Sequence, residues 1–133
     1  KDPLRGGDNI LVMNEVCNPD GSPHKSNSRA KLVELAKQFK DHDAILMWEF
    51  GNEFNYHPDW FGNDIQNWYN ILEDSAAAVK ILDPNRPVST AHGEVPDVQA
   101  LNSCPSVDVW GMNIYRWLSP ETAINELLAQ NFS

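Results

Sequence analysis

The stretch Trp48-Glu49-Phe50-Gly51-Asn52-Glu53 carries the side chains best suited to chemistry, because it sets a carboxylate directly behind an apolar run, Ala44 to Phe50, that reads as a buried strand. Phe54, Tyr56 and Trp60 follow within one short loop. Burial among rings favours the neutral form of a carboxyl, and a neutral carboxyl near neutral pH is what a general acid needs. A glutamate in such a place also serves many folds as an ion-pair partner, so residue type alone leaves two readings of Glu53, proton donor or structural anchor. Glu49 is ambiguous as well. Strict alternation puts it on the face of Glu53, but Gly51 between them is the kind of residue that marks a bulge and breaks parity.

Elements that could position these groups are legible around them. Asn9 to Val16 is an apolar, β-branched run bounded by turn residues, and reads as a first strand. Leu32, Val33, Leu35, Ala36 and Phe39 recur at helical spacing after Ser28, predicting a helix that ends near His42. Asp64 caps a second helix through Leu82, which Asp83-Pro84-Asn85-Arg86-Pro87 stops. Val88 to Ala91 is a short strand, Val95 to Leu101 a short helix or turn, and Val107 to Tyr115 a fourth strand. That last strand shows Val107, Val109, Gly111, Asn113 and Tyr115 on one face and Asp108, Trp110, Met112 and Ile114 on the other. Ser119-Pro120-Glu121 opens a final helix through Leu128.

Strands alternating with helices predict an α/β fold with four parallel strands and right-handed crossovers, and such folds gather their chemistry at the carboxyl ends of the strands. Glu15, Asn52, Glu53, His92 and Tyr115 all fall there. Four such units make half of a (β/α)8 barrel, and 133 residues form a single partial domain, short of the roughly 250 that a complete barrel uses.

Ile45-Leu46-Met47-Trp48-Glu49-Phe50-Gly51-Asn52-Glu53 resembles the fourth strand of the clan of retaining glycoside hydrolases that includes families two and five. Pro87 to Gly93 falls where that clan has its fifth strand, and Val107 to Trp117 looks like its sixth. The resemblance implies a fragment covering about the third to sixth βα units of a TIM barrel that hydrolyses O-glycosidic bonds in β-linked glycans or glycosides. It also implies Glu53 as general acid/base and Asn52 as the residue contacting the sugar 2-hydroxyl. Tyr115 matches a tyrosine that bonds the nucleophile in related enzymes, and His92 lies level with substrate. Trp48 and Trp117 join these as expected sugar contacts. A retaining hydrolase needs a second carboxylate about 5 to 5.5 Å from the first, and the clan carries it on the seventh strand, after the last helix of this sequence. Glu94 and Glu15 are weak substitutes, since a bare glutamate near a strand end is more often solvated or ion-paired. No cofactor or metal is implied, and the isolated chain is expected to be inactive.

Nineteen acidic against ten basic residues give a net charge of -9, which repels nucleic-acid phosphates. Five Trp and three Tyr among many Asn, Asp and His suit sugar binding, although about half of the aromatics are expected in the core. No apolar run reaches the ~18 residues of a membrane helix. The start without Met and the end at Asn-Phe-Ser read as a piece of a longer chain. Cys17 and Cys104 are expected at opposite ends of the strands, ~17 Å or more apart, and therefore as free thiols. Compartment stays open, with a secreted or periplasmic location slightly favoured over a cytoplasmic one. A half-barrel leaves sheet edges and an inner face uncovered, so a homo-oligomer, most simply a dimer of half-barrels, is expected. Two other readings compete: a non-catalytic carbohydrate-binding module, and a small doubly wound domain in which Glu53 is structural. Turnover of chromogenic glycosides, binding without turnover, or neither separates the three.

Overall fold

A computed structural model of the chain describes residues 28–116 and 119–130. Within them lie α1 (Ser28–Phe39), β1 (Trp48–Asn52), two 3-10 turns (Phe54–Tyr56 and Pro58–Phe61), α2 (Ile65–Leu82), β2 (Val88–Gly93), α3 (Val98–Ser103), β3 (Val109–Asn113) and α4 (Pro120–Leu128). The three strands form one parallel sheet in the order β1-β2-β3. This is the expected α/β architecture of a partial TIM barrel. The strand expected over residues 9–16, with Glu15, and Cys17 and Trp117 lie outside the described residues.

Parallel strands need a covered face, and α2 supplies it. Asp64 accepts from the Gln66 backbone N–H at 3.0 Å to start this helix, whose buried residues Trp68, Tyr69, Leu72, Ala76 and Val79 are one side of the core. Trp48, Phe50 and Val88 from the strands and Phe54 and Phe61 from the turns are the other. Phe54 and Trp68 meet edge to face, ring centroids 4.7 Å apart, a geometry worth about 1 kcal/mol beyond burial. Cys104 is free and buried in this core, and burial pushes its thiol up to about 12.

The apolar run before β1 is not all strand. It was expected to pair from Ala44, yet the ladder begins at Trp48, whose N–H donates to the Pro87 carbonyl at 3.0 Å. Arg86 accounts for this, taking the Ile45 carbonyl that a longer strand would have offered together with two carbonyls of the loop before it. Its guanidinium donates to the carbonyls of Ile45 at 2.8 Å, of His42 at 3.1 Å, and of Lys40. It also pairs with the Asp83 carboxylate at 2.8 Å, to which the Trp48 indole N–H donates at 2.9 Å. These partners fold the 40–45 loop against the α2–β2 corner at the amino end of the sheet. The last strand is likewise shorter than expected, 109–113. The Asp108 backbone and side chain instead bracket Val88, accepting from its N–H at 2.9 Å and donating to its carbonyl at 2.8 Å.

At the other end of β1 the register slips between Glu49 and Asn52, the bulge that Gly51 marked. Gly51 has a φ of 75°, and a Cβ there would lie 2.7 Å from the Phe54 and Trp68 rings. Only glycine fits both the conformation and the space.

Three stability experiments follow from this packing. Arg86→Ala leaves three loop carbonyls without this donor and a nearly buried carboxylate without its cation and is expected to cost about 2–4 kcal/mol; an unchanged urea midpoint would show that the loop is held by other contacts. Asp83 is pushed up by burial, but the bonds from Trp48 and Arg86 outweigh that and hold its carboxyl below the ordinary 3.8. A depressed carboxyl stabilises the fold above its unfolded value, and that share is lost as pH falls through the folded one, so Asp83→Asn should flatten the loss of stability below about pH 4. Equal acid slopes in the two proteins would refute this linkage. Gly51→Ala should cost about 2–3 kcal/mol through strain and overpacking, measured as a lower melting temperature at unchanged helix content.

Candidate active site

The carboxyl ends of the three strands are tied together by groups that leave the sheet there. The Glu53 N–H donates to the Ala91 carbonyl at 2.7 Å, and the Glu94 N–H to the Asn113 carbonyl at 3.1 Å. Both glutamates turn the chain out of the sheet in the left-handed region, at φ 57° and 65°. Such backbone costs about 1–3 kcal/mol at a residue other than glycine and tends to sit at functional sites. Asn55 fixes the loop that follows Glu53: its side chain donates to the Gly93 carbonyl and accepts from the Gly93 N–H, each at 2.8 Å. One side chain thus acts as a further rung of the sheet, holding the first 3-10 turn on β2.

Asn52 and Glu53 are adjacent, as expected, and a third side chain joins them. Asn113 at the end of β3 donates from Nδ2 to Asn52 Oδ1 and to Glu53 Oε1, each at 3.0 Å. Asn52 is exposed and Glu53 half-buried, so the pair faces the open side of the strand ends. Neither Asn113 nor Asn55 was assigned a role from the sequence. The alternation in β3 had put Asn113 on the face of Tyr115, which was the available signal.

The other expected contacts are distributed differently. Trp48 is 8% exposed and begins β1, at the end of the strand opposite Glu53, with its ring in the core and its N–H on Asp83. This corrects the expectation that it meets sugar. The aromatic walls expected around Glu53 are likewise largely core: Phe50 and Phe54 are buried and face α2. His92 lies near the carboxyl end, but parity turns it away. In the β2–β3 register Thr90, His92, Trp110 and Met112 share one face and Ala91, Gly93, Gly111 and Asn113 the other. The His92 ring contacts Tyr69 of α2 and meets Trp110 edge to face at 5.7 Å, which makes its face the helix-covered one. His92 Nδ1 faces the Glu94 carbonyl at 3.1 Å and must donate to it, so Nε2 is the acceptor toward the Tyr69 hydroxyl at 3.4 Å. Burial holds its pKa below the ordinary 6.5, and the neutral ring is a wall of the core.

Tyr115 follows β3 and is 80% exposed. It lies within electrostatic reach of Tyr56, the aromatic that does border the site. The Tyr56 ring covers Gly93 so closely that a Cβ there would lie 2.2 Å from it. The hydroxyl is raised above its ordinary 10 by burial first, then by the charges of Glu94 and Glu53, with Arg116 opposing. Glu94 itself is paired with Arg116, which also holds Glu126 of α4. That pairing makes Glu94 a link between the strand ends and α4. Among the described residues no three His, Cys, Asp or Glu side chains form a group that could hold a metal ion, and no helix is long and apolar enough to cross a membrane.

The arrangement combines a half-buried carboxylate able to exchange a proton with an amide able to bind a hydroxyl, both at the chemically active end of a parallel sheet. Comparison with known proteins bears on what it serves. Part of the chain is similar to glutamine synthetases: 51% identical over 55 residues to that of Streptomyces viridochromogenes, covering 41% of this chain and 15% of that enzyme, and 42% identical over 67 residues to that of Eremothecium gossypii, covering 50% of this chain and 17% of that enzyme. The chain spans about a sixth of the length of these curated relatives, and so local a likeness shows no shared family. The match of a different kind extends over residues 9–133 and is to the model described as glycosyl hydrolases family 2, TIM barrel domain. With parallel strands, covering helices and an Asn-Glu pair at the strand ends already in place, this chain belongs to glycosyl hydrolase family 2, within its TIM barrel domain.

Proposed function

We propose that the chain is the acid/base-bearing part of a glycoside hydrolase that cleaves O-glycosidic bonds of β-linked glycans or glycosides by retaining double displacement. Glu53 protonates the departing glycosidic oxygen and later takes a proton from the attacking water, and Asn52 binds the 2-hydroxyl of the sugar undergoing transfer. The observation that carries this reading is the Asn52–Glu53 pair, held at the carboxyl end of a parallel sheet by one shared donor. A carboxylate locked in an ion pair would have spoken against it, and the hydrogen-bond partner of Glu53 is instead a neutral amide. The nucleophile of the double displacement belongs to a later strand of the complete barrel. Glu94 is poorly suited to that role because Arg116 already neutralises it.

In the barrel-complete enzyme, Glu53→Gln is expected to lower kcat/KM for glycosides with poor leaving groups by about 100- to 10,000-fold, the usual worth of general acid–base catalysis. Glycosylation by substrates with activated aryl leaving groups, which depart without a proton, should change far less. Equal losses across leaving groups would remove Glu53 from the acid role. The 133-residue chain alone should show no turnover with or without the substitution.

A further inference from the structure

Asn113 is a third polar residue at the strand ends, and it has one nitrogen between two acceptors. An ionised carboxylate can only accept hydrogen bonds, so the Asn113 atom 3.0 Å from Glu53 Oε1 must be the NH2 nitrogen. The same nitrogen lies 3.0 Å from an amide atom of Asn52, which must then be oxygen. The two hydrogens of Asn113 Nδ2 are therefore spent, one on each neighbour. Asn52 keeps its NH2 for whatever meets the strand ends. Glu53 keeps Oε2, so a proton carried by this carboxyl sits on Oε2 while Oε1 remains the acceptor of the Asn113 bond.

From this we infer that Asn113 is a positioning residue that fixes which atoms of the pair face substrate: the Nδ2 donor of Asn52 and the Oε2 of Glu53. The inference rests on the hydrolase reading for its consequence and on the hydrogen-bond chemistry alone for its geometry. With Asn113 in place, the Asn52 oxygen is held toward Asn113 and its NH2 is turned away, committed to donating to a hydroxyl oxygen. The acid proton is likewise committed to one side of the carboxyl. Without the Asn113 donor both groups are free to turn, and the ordering of donor and acid is lost even though neither reacting residue has changed. Asn113 occupies the last rung of β3, opposite Gly93, so its position is set by the ladder rather than by a loop.

Asn113→Asp keeps the shape of the side chain but exchanges the donor for an acceptor and adds a negative charge beside Glu53, whereas Asn113→Leu removes the donor with no added charge. In NMR spectra of the 133-residue chain with labelled asparagine, the side-chain NH2 of Asn113 should exchange with solvent about tenfold more slowly than a free amide, as one hydrogen bond provides, while that of Asn52 exchanges freely. In Asn113→Asp the Asn52 amide should turn to donate to the new carboxylate and become protected. A freely exchanging Asn113 amide, or an Asn52 amide indifferent to the substitution, overturns the inference. In the barrel-complete enzyme, Asn113→Leu should lower kcat for every glycoside through the lost order at Asn52, and about tenfold further for poor leaving groups than for activated aryl glycosides. A loss equal for all leaving groups would mean a structural role only and would also overturn it. An enzyme that hydrolyses no glycoside, with the amide pattern intact, would instead sink the hydrolase reading and leave the orientation of Asn52 and Glu53 as inferred.

Discussion

The close approach of the Phe54 and Trp68 rings to Gly51 is the constraint on which the carboxyl end of the sheet depends. Two aromatic edges occupy the space in which a side chain at residue 51 would stand, and the strand can pass them only as glycine with a left-handed backbone. That conformation produces the bulge, and the bulge breaks the strict alternation of β1. Asn52 and Glu53 consequently leave the sheet together on the side where Asn113 waits, while Phe50 still points into the core. Core packing and site geometry are therefore one arrangement, and the buried rings beneath the site orient the polar groups above it.

The two ends of the sheet are built by different means. At the amino end a single cation gathers three carbonyls and a carboxylate, an arrangement that is dense in charge-assisted bonds and suited to stability. At the carboxyl end the bonds among Asn52, Glu53, Asn55 and Asn113 place neutral amides against a carboxylate, another amide or backbone groups. Arg116 lies further out, between Glu94 and Glu126. Glu53 is thereby left without a cationic partner of its own among the described ion pairs.

Much of this was legible in the sequence wherever a residue type has a narrow backbone meaning. Asp64 as a cap, Pro120 at a first helical position and Gly51 at a bulge are such residues, and the structure has each of them there. The place of Asn52 and Glu53 at a strand end was legible from the apolar run before them, but the roles expected of them came from the resemblance of the whole segment, since a second Asn-Glu pair stands at Asn14-Glu15. The start of β1 was not, because the apolar run from Ala44 to Met47 says nothing of an arginine some forty residues on that claims the Ile45 carbonyl. The facing of His92 and Trp48 required a register and a direction along the strand, which periodicity alone does not supply. Asn113 shows the same limit from the other side: its face was readable, but its partners lie 60 and 61 residues away in the chain.

The side chain of Asn55, standing in for a strand residue against Gly93, bears on the thermodynamics of recognition. A loop beside a binding cleft usually loses conformational freedom when a ligand arrives, and that loss subtracts from affinity. Here the loop is already a rung of the sheet, so its ordering cost falls on folding, and the rim of the strand ends is preorganised before any ligand is present. Rigidity of this kind narrows the range of shapes the rim can accept. The entropy withheld from binding thus reappears as selectivity for ligands that fit the rim as it stands.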